Sequence, residues 1–230
     1  MLKAAVFDID NTLYSYDEAH AAAYQALTDF AQRTFAMPPK DFDELHRLGS
    51  TLLEEHSGGR CAAIHNRLIR YQLMLEHAGE PIRHAPAMAE VYWTTLIGVM
   101  RPFPGVRAAL EALKSGGMVL GVGTNMTADW QFQKLERLGL IDLVDFMVTS
   151  EEVSAEKPDR RLFDLCVHKA GCLHGECVFV GDSLKGDVLG AMHAGMAAIW
   201  FHPREDGAQT PPGASRLRCF DELTNLVFPS

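Results

Sequence analysis

Five short apolar runs rich in Val, Ile and Phe, at 3–7, 118–123, 145–150, 177–181 and 197–201, each give way to polar residues or glycine. Unalternated runs of this length mark strands buried on both faces, as in a parallel sheet. Helical spacing fills 105–114, 128–138, 160–170 and 184–194, and these segments end near Gly116, Gly139, Gly171 and Gly195, which read as C-terminal caps. Strand and helix therefore alternate. The pattern predicts an α/β fold with a Rossmann-like, doubly wound parallel sheet.

Between the first two strands the alternation stops. Residues 8–117 contain no convincing strand but several helix-like pieces, at about 16–35, 39–55, 60–77 and 85–100, separated by Pro- and Gly-containing breaks. In the first piece Ala19, Ala22, Ala23, Ala26, Leu27 and Phe30 form an apolar stripe, with Ser15 or Asp17 as caps. The expectation is an α-helical domain, 16–100, inserted into a core formed by 1–15 and 101–230. The stretch 205–215 reads as loose and exposed.

The chain has 21 basic and 30 acidic residues, a formal charge of -9, which argues against nucleic acid or an anionic membrane as partner. The apolar run at the N-terminus is far too short for a signal peptide, and no stretch reaches roughly 18 uncharged apolar residues. Five cysteines, Cys61, Cys166, Cys172, Cys177 and Cys219, include no CxxC pair and fit free thiols in a reducing compartment. These features predict a cytoplasmic protein, monomer or homodimer, whose partner is a small molecule.

Chemistry concentrates where the strands end. Asp8 and Asp10 follow the first strand two positions apart, so in extended chain both carboxylates point the same way. In open α/β sheets ligands bind at this edge, where two acids repel unless a cation or shared proton holds them; the plainer reading is turn polarity. After the second strand, Thr124 and the backbone around Asn125 can hold phosphate oxygens, or Thr124 can simply cap a helix. No GxGxxG or P-loop is present. Lys157, fixed before Pro158, can offset a carboxylate and a phosphate, or be an ordinary surface lysine. After the fourth strand, Asp182 offers a hard oxygen ligand for Mg²⁺, with Asp187 as a further ligand or one step removed; helix capping is the plainer reading.

Asp8-Ile9-Asp10-Asn11-Thr12, Thr124-Asn125, Lys157-Pro158 and Gly181-Asp182-Ser183 through Asp187, in that order, resemble the four motifs of the haloacid dehalogenase-like hydrolase superfamily. The insertion resembles that superfamily's first type of cap domain, and the segment from Gly181 to Ala191 is similar to branches containing nucleotidases and sugar-phosphate phosphatases. The resemblance implies a phosphatase of a small phosphorylated metabolite. In it Asp8 attacks phosphorus, and Asp10 protonates the leaving alcohol and then activates water. Asp8, the backbone carbonyl of Asp10, Asp182 and, less directly, Asp187 hold Mg²⁺, while Thr124, Asn125 and Lys157 stabilise phosphate oxygens. Dehalogenases of the superfamily need neither magnesium nor the second acid, so Asp10 favours phosphate. A phosphomutase, or a silent binding protein that keeps the fold, are the alternatives.

Substrate choice is expected in the insertion and in 13–20, with Tyr14, Tyr16, Arg60, His65 and Arg67 as candidate contacts. The remaining histidines of the insertion, without HExxH or a paired cysteine set, read as surface or packing residues. Tyr92, Trp93 and Met100 read as core of the insertion.

Overall fold

The computed structural model describes residues 1–57, 66–204 and 206–228. Strand β1 (Ala4–Phe7) is followed by helices α1 (Tyr16–Phe35), α2 (Pro39–Ser57), α3 (Arg67–Ala78) and α4 (Ala85–Val99). The chain continues through α5 (Val106–Ser115), β2 (Val119–Thr124), α6 (Ala128–Leu138), β3 (Phe146–Thr149), α7 (Arg160–Ala170), β4 (Cys177–Gly181), β5 (Ala197–Phe201) and β6 (Ser215–Leu217). It divides into two compact units, Met1–Ser15 with Arg101–Ser230, and Tyr16–Met100.

In the first unit the strands form one parallel sheet in the order β3-β2-β1-β4-β5-β6. The chain starts at the centre, builds outward to β3, then crosses to build the other half, so β1 and β4 flank the point where the winding reverses. All four residues of β1 are buried, as a central strand covered on both faces requires. Helix α5 buries Val106, Ala109, Leu110 and Leu113, a single apolar stripe at helical spacing. Gly139 and Gly171, at φ 67° and 64°, close α6 and α7 by donating their N–H groups back to the last turn. Gly116 keeps φ -74°, and the left-handed position falls on Gly117.

Two segments differ from the sequence expectation. The helix expected over 184–194 begins as a wide turn, Leu184–Leu189, in which Val188 N–H reaches back five residues to the Ser183 oxygen at 3.2 Å. Regular α-helix occupies only Gly190–His193. The widening is anchored locally: Ser183 N–H donates to Asp187 Oδ2 and Gly186 N–H to Ser183 Oγ, at 2.9 and 3.0 Å. The other is β6, an edge strand that begins at the last residue of the stretch read as loose, where Arg216 donates to the carbonyls of His202 and Ala208 at 3.2 and 3.0 Å.

Residues 13–15 and 101–103 form a stem at which the chain leaves and re-enters this unit. Tyr14 and Pro102 make a β-bridge, and Phe103 N–H donates to the Leu13 oxygen at 2.9 Å.

In the second unit α1 packs chiefly on α4, and α2 on α3. Ala19, Ala23, Leu27 and Ala31, spaced by four, give α1 a narrow buried stripe, and α4 buries Met88, Tyr92, Trp93 and Leu96. Helix α3 is capped by Asn66, whose side chain accepts from Ile69 N–H at 3.1 Å. Arg60, Cys61 and His65 lie outside the described residues. No described helix is long and apolar enough to cross a membrane, and Cys166, Cys172, Cys177 and Cys219 are free thiols.

Candidate active site

Strand register sets the geometry. Phe7 pairs with Val122 on one side and Val180 on the other, so the next residue, Asp8, emerges beside Gly123 and Gly181. Its N–H continues the ladder to the Val180 oxygen at 2.9 Å. Both glycines are required by close approach. A Cβ on Gly181 would run into the Asp187 carboxylate, and one on Gly123 would lie 2.8 Å from the Phe179 ring and 3.1 Å from Cys166 Sγ.

Asp8, Asp10, Thr124, Asn125, Lys157, Ser183, Gly186 and Asp187 line a cavity of about 180 Å³. Lys157 lies at its centre: its ammonium is 2.6 Å from Asp8 Oδ1, 2.7 Å from Asp187 Oδ1 and 3.1 Å from the Gly123 oxygen. The Asn125 side chain holds the lysine's loop, accepting from Lys157 N–H at 2.8 Å. Burial works against the lysine's charge, but Asp187 and Asp8 outweigh it and raise its pKa above the ordinary value.

One carboxylate oxygen each from Asp8, Asp182 and Asp187 lies within 4.8 Å of the others. Burial, together with the charge of Asp187, pushes Asp8 to about 7 and Asp182 to about 6, although Lys157 opposes both shifts. Asp187 is wholly buried; its Oδ1 meets the Lys157 ammonium at 2.7 Å and its Oδ2 accepts from Ser183 N–H at 2.9 Å. Three carboxylates facing one ammonium leave a surplus that a divalent cation would balance, and an all-oxygen donor set suits a hard ion. Thr12 and Trp200 fix the Asp182 loop. Asp182 N–H donates to Thr12 Oγ1 at 3.0 Å, and Trp200 Nε1 donates to the Asp182 oxygen at 2.8 Å.

Asp10 is held apart from that cluster. Its carboxylate receives Lys134 Nζ on both oxygens, at 2.7 and 2.8 Å, and the Tyr14 hydroxyl at 2.5 Å. Gln131 Nε2 donates to Thr124 Oγ1 at 2.6 Å and lies 3.5 Å from Asp10 Oδ2. Burial alone would raise the Asp10 pKa; Lys134 overcomes it, and Asp10 stays below the ordinary carboxylate value. Thus two acids two residues apart are held in opposite electrostatic states.

The sequence reading named Asp8, Asp10, Thr124, Asn125, Lys157 and Asp187, and all line this cavity; Asp182 joins through the carboxylate cluster. Tyr14, expected at the substrate, is buried and spent on Asp10. Lys134 and Gln131 were missed. They sit with Leu135 and Leu138 on the buried stripe of α6, and two polar residues on an apolar stripe are the signal that marks them. Tyr16 and Arg67 belong to the helical unit, where Arg67 Nη2 donates to the Tyr16 hydroxyl at 3.0 Å.

Comparison with known proteins gives this geometry a context. The chain is 35% identical to ribulose-1,5-bisphosphate 5-phosphatase of Halopiger xanaduensis, covering 99% of this chain and 100% of that protein. It is 35% identical to glyceraldehyde 3-phosphate phosphatase of Methanothermobacter thermautotrophicus, over 86% of this chain and 85% of that one. Among solved structures, 2-haloacid dehalogenase from Pseudomonas syringae pv. Tomato DC3000 superposes with a TM-score of 0.79 at 28% identity, covering 99% and 98% of the two chains. The family model described as haloacid dehalogenase-like hydrolase matches residues 2–195. With its parallel sheet, its strand-end carboxylates and this match over most of its length, the chain belongs to the haloacid dehalogenase-like hydrolase family.

Proposed function

We propose that this protein is a Mg²⁺-dependent phosphomonoester hydrolase that removes phosphate from a small metabolite through an aspartyl-phosphate on Asp8. The family match and the two phosphatase relatives make it a phosphatase of small phosphorylated metabolites. Because both relatives are named for sugar or triose phosphates, a sugar phosphate is the substrate class favoured. Residues 1–15 and 101–230 are assigned as the catalytic core and 16–100 as the cap domain. Free thiols fit a cytoplasmic setting.

The observation that carries this reading is the carboxylate surplus around Lys157. Asp8, Asp182 and Asp187, with the Asp10 backbone carbonyl, would hold Mg²⁺, which lowers the barrier for an anionic nucleophile to meet an anionic phosphate. Asp8 then attacks phosphorus, and the P–O bond to the leaving alcohol breaks. Lys157, Thr124 and the Asn125 backbone stabilise charge on the equatorial oxygens. As the carboxylate that Lys134 maintains, Asp10 is in the state that takes a proton from water in the second displacement. To give a proton to the leaving alcohol in the first, it must load one at the expense of its Lys134 contact.

The test is phosphate release from para-nitrophenyl phosphate with Mg²⁺, alongside halide release from 2-chloropropionate. Hydrolysis that falls at least about 10³-fold in Asp8→Asn supports the reading. Halide release without phosphate release by the unmodified protein overturns it. Ranking sugar phosphates, triose phosphates and nucleotides by kcat/KM then fixes the substrate.

A further inference from the structure

The helical unit holds two half-buried cations, Arg67 and Arg70, whose Nε atoms are enclosed and whose charge its packing does not explain. Arg67 opens α3 and Arg70 lies three residues on, so their side chains share one face of the helix. Arg67 Cζ lies 4.0 Å from the centroid of the Tyr92 ring and 5.4 Å from that of Trp93, and its Nη2 donates to Tyr16. Arg70 Nη2 donates to the His46 main-chain oxygen at 2.6 Å and lies 3.1 Å from His46 Nδ1. His20 stacks on Tyr16, with ring centroids 5.5 Å apart, and shares a hydrogen bond of 2.8 Å with the Tyr92 hydroxyl.

Every one of these partners is uncharged. Among the described residues no carboxylate makes an ion pair with Arg67 or Arg70. Residues 58–65, outside the description, contain no acid. Of the nearby acids, Asp43 accepts from the Tyr24 hydroxyl at 2.5 Å, and Asp17 bears on His20 without pairing with either arginine. The Nε atoms of both arginines and Nε2 of His46 are buried with no hydrogen-bond partner among the described residues. Burial, reinforced by the two arginines, holds both His20 and His46 below the ordinary histidine pKa.

Taking an unpaired guanidinium even partly out of water costs free energy. An aromatic face returns only part of that cost. Two guanidinium groups on one face also repel. What answers all three terms is an oxyanion, because guanidinium forks match the oxygens of phosphate and carboxylate, and the Tyr92 face and the His46 oxygen already position the two groups.

We propose that Arg67 and Arg70 form an oxyanion site in the helical unit, flanked by Tyr16 and His20, that takes the phosphate or carboxylate group of a small metabolite. Its source is either a second anionic group on the hydrolase's own substrate or free inorganic phosphate. The site rests on the helical unit's geometry alone, so it stands or falls separately from the catalytic reading.

The deciding measurement uses the full-length unmodified protein labelled with ¹⁵N-arginine. Inorganic phosphate is titrated while the Nε–Hε resonances are followed, assigned by comparison with Arg67→Lys and Arg70→Lys. Saturable shifts of both resonances support the site; their absence up to tens of millimolar phosphate overturns it. The second arm compares kcat/KM for a sugar bisphosphate and the matching monophosphate. A fall of about tenfold or more in that ratio for Arg67→Lys identifies the anion as the substrate's own. An unchanged ratio with persisting resonance shifts identifies it as free phosphate.

Discussion

The two units carry charge imbalances of opposite sign. In the α/β unit Asp8, Asp182 and Asp187 crowd one ammonium, Lys157; in the helical unit Arg67 and Arg70 meet only neutral partners among the described residues. Lys134 and Asp10, in the same α/β unit, are the reference case, a buried cation matched one to one with an acid. A chain able to build that balanced pair did not balance the other two groups. On the two proposals above, charge left uncompensated inside the protein marks where a counter-ion would enter from outside, a cation in one unit and an oxyanion in the other.

The largest test of the contrast is Lys157→Met. Removing the one cation among three carboxylates should cost about 3–5 kcal/mol, read by urea denaturation without Mg²⁺. Stability equal to the parent's would break the comparison on the acidic side. Next in size is the ion itself: Mg²⁺ at a hundred times its Kd should add about 2.7 kcal/mol to the parent. Asp182→Asn should lose most of that increment in a thermal melt.

A smaller effect comes from His46. Its pKa in the folded chain, lowered to about 3 from 6.5 by burial and then by Arg70 and Arg67, means the unfolded chain takes the proton first. The stability this neutral histidine confers is complete above about pH 6.5 and declines as pH falls towards 3, by about 1.4 kcal/mol per pH unit. Urea midpoints at pH 7.5 and 5.5 should therefore converge in His46→Gln relative to the parent; parallel losses would refute the assignment. Smallest of all, Arg67→Met should change stability by less than about 1 kcal/mol in phosphate-free buffer, because a misplaced charge is removed along with its contacts. A loss as large as that of Lys157→Met would mean the helical unit is balanced after all.

Much of the sheet was legible because each central strand is a compact apolar run followed by a polar residue or glycine. β6 was not: Ser215, Arg216 and Leu217 are too few to carry a pattern, and the strand depends on Arg216 reaching distant carbonyls. The wide turn after Ser183 was hidden because its pitch is set by hydrogen bonds to Ser183, while its residues have ordinary helical spacing. At the site, charges at strand ends could be read from position alone. Asn125 was read for its backbone, yet its side chain straps the Lys157 loop. The cluster around Arg67 draws on α1, α2, α3 and α4, and only tertiary packing brings His20, His46 and Tyr92 to it.

The stem made by Tyr14 with Pro102 and by Leu13 with Phe103 has a consequence for how this chain can change. It closes the α/β unit on itself before and after the insertion, so what hangs from it is, for the core, a loop whose ends are already joined. Each doubling of such a loop costs only about 0.6 kcal/mol in closure entropy. Selection can lengthen, shorten or replace the helical unit with little penalty to the sheet that carries Asp8.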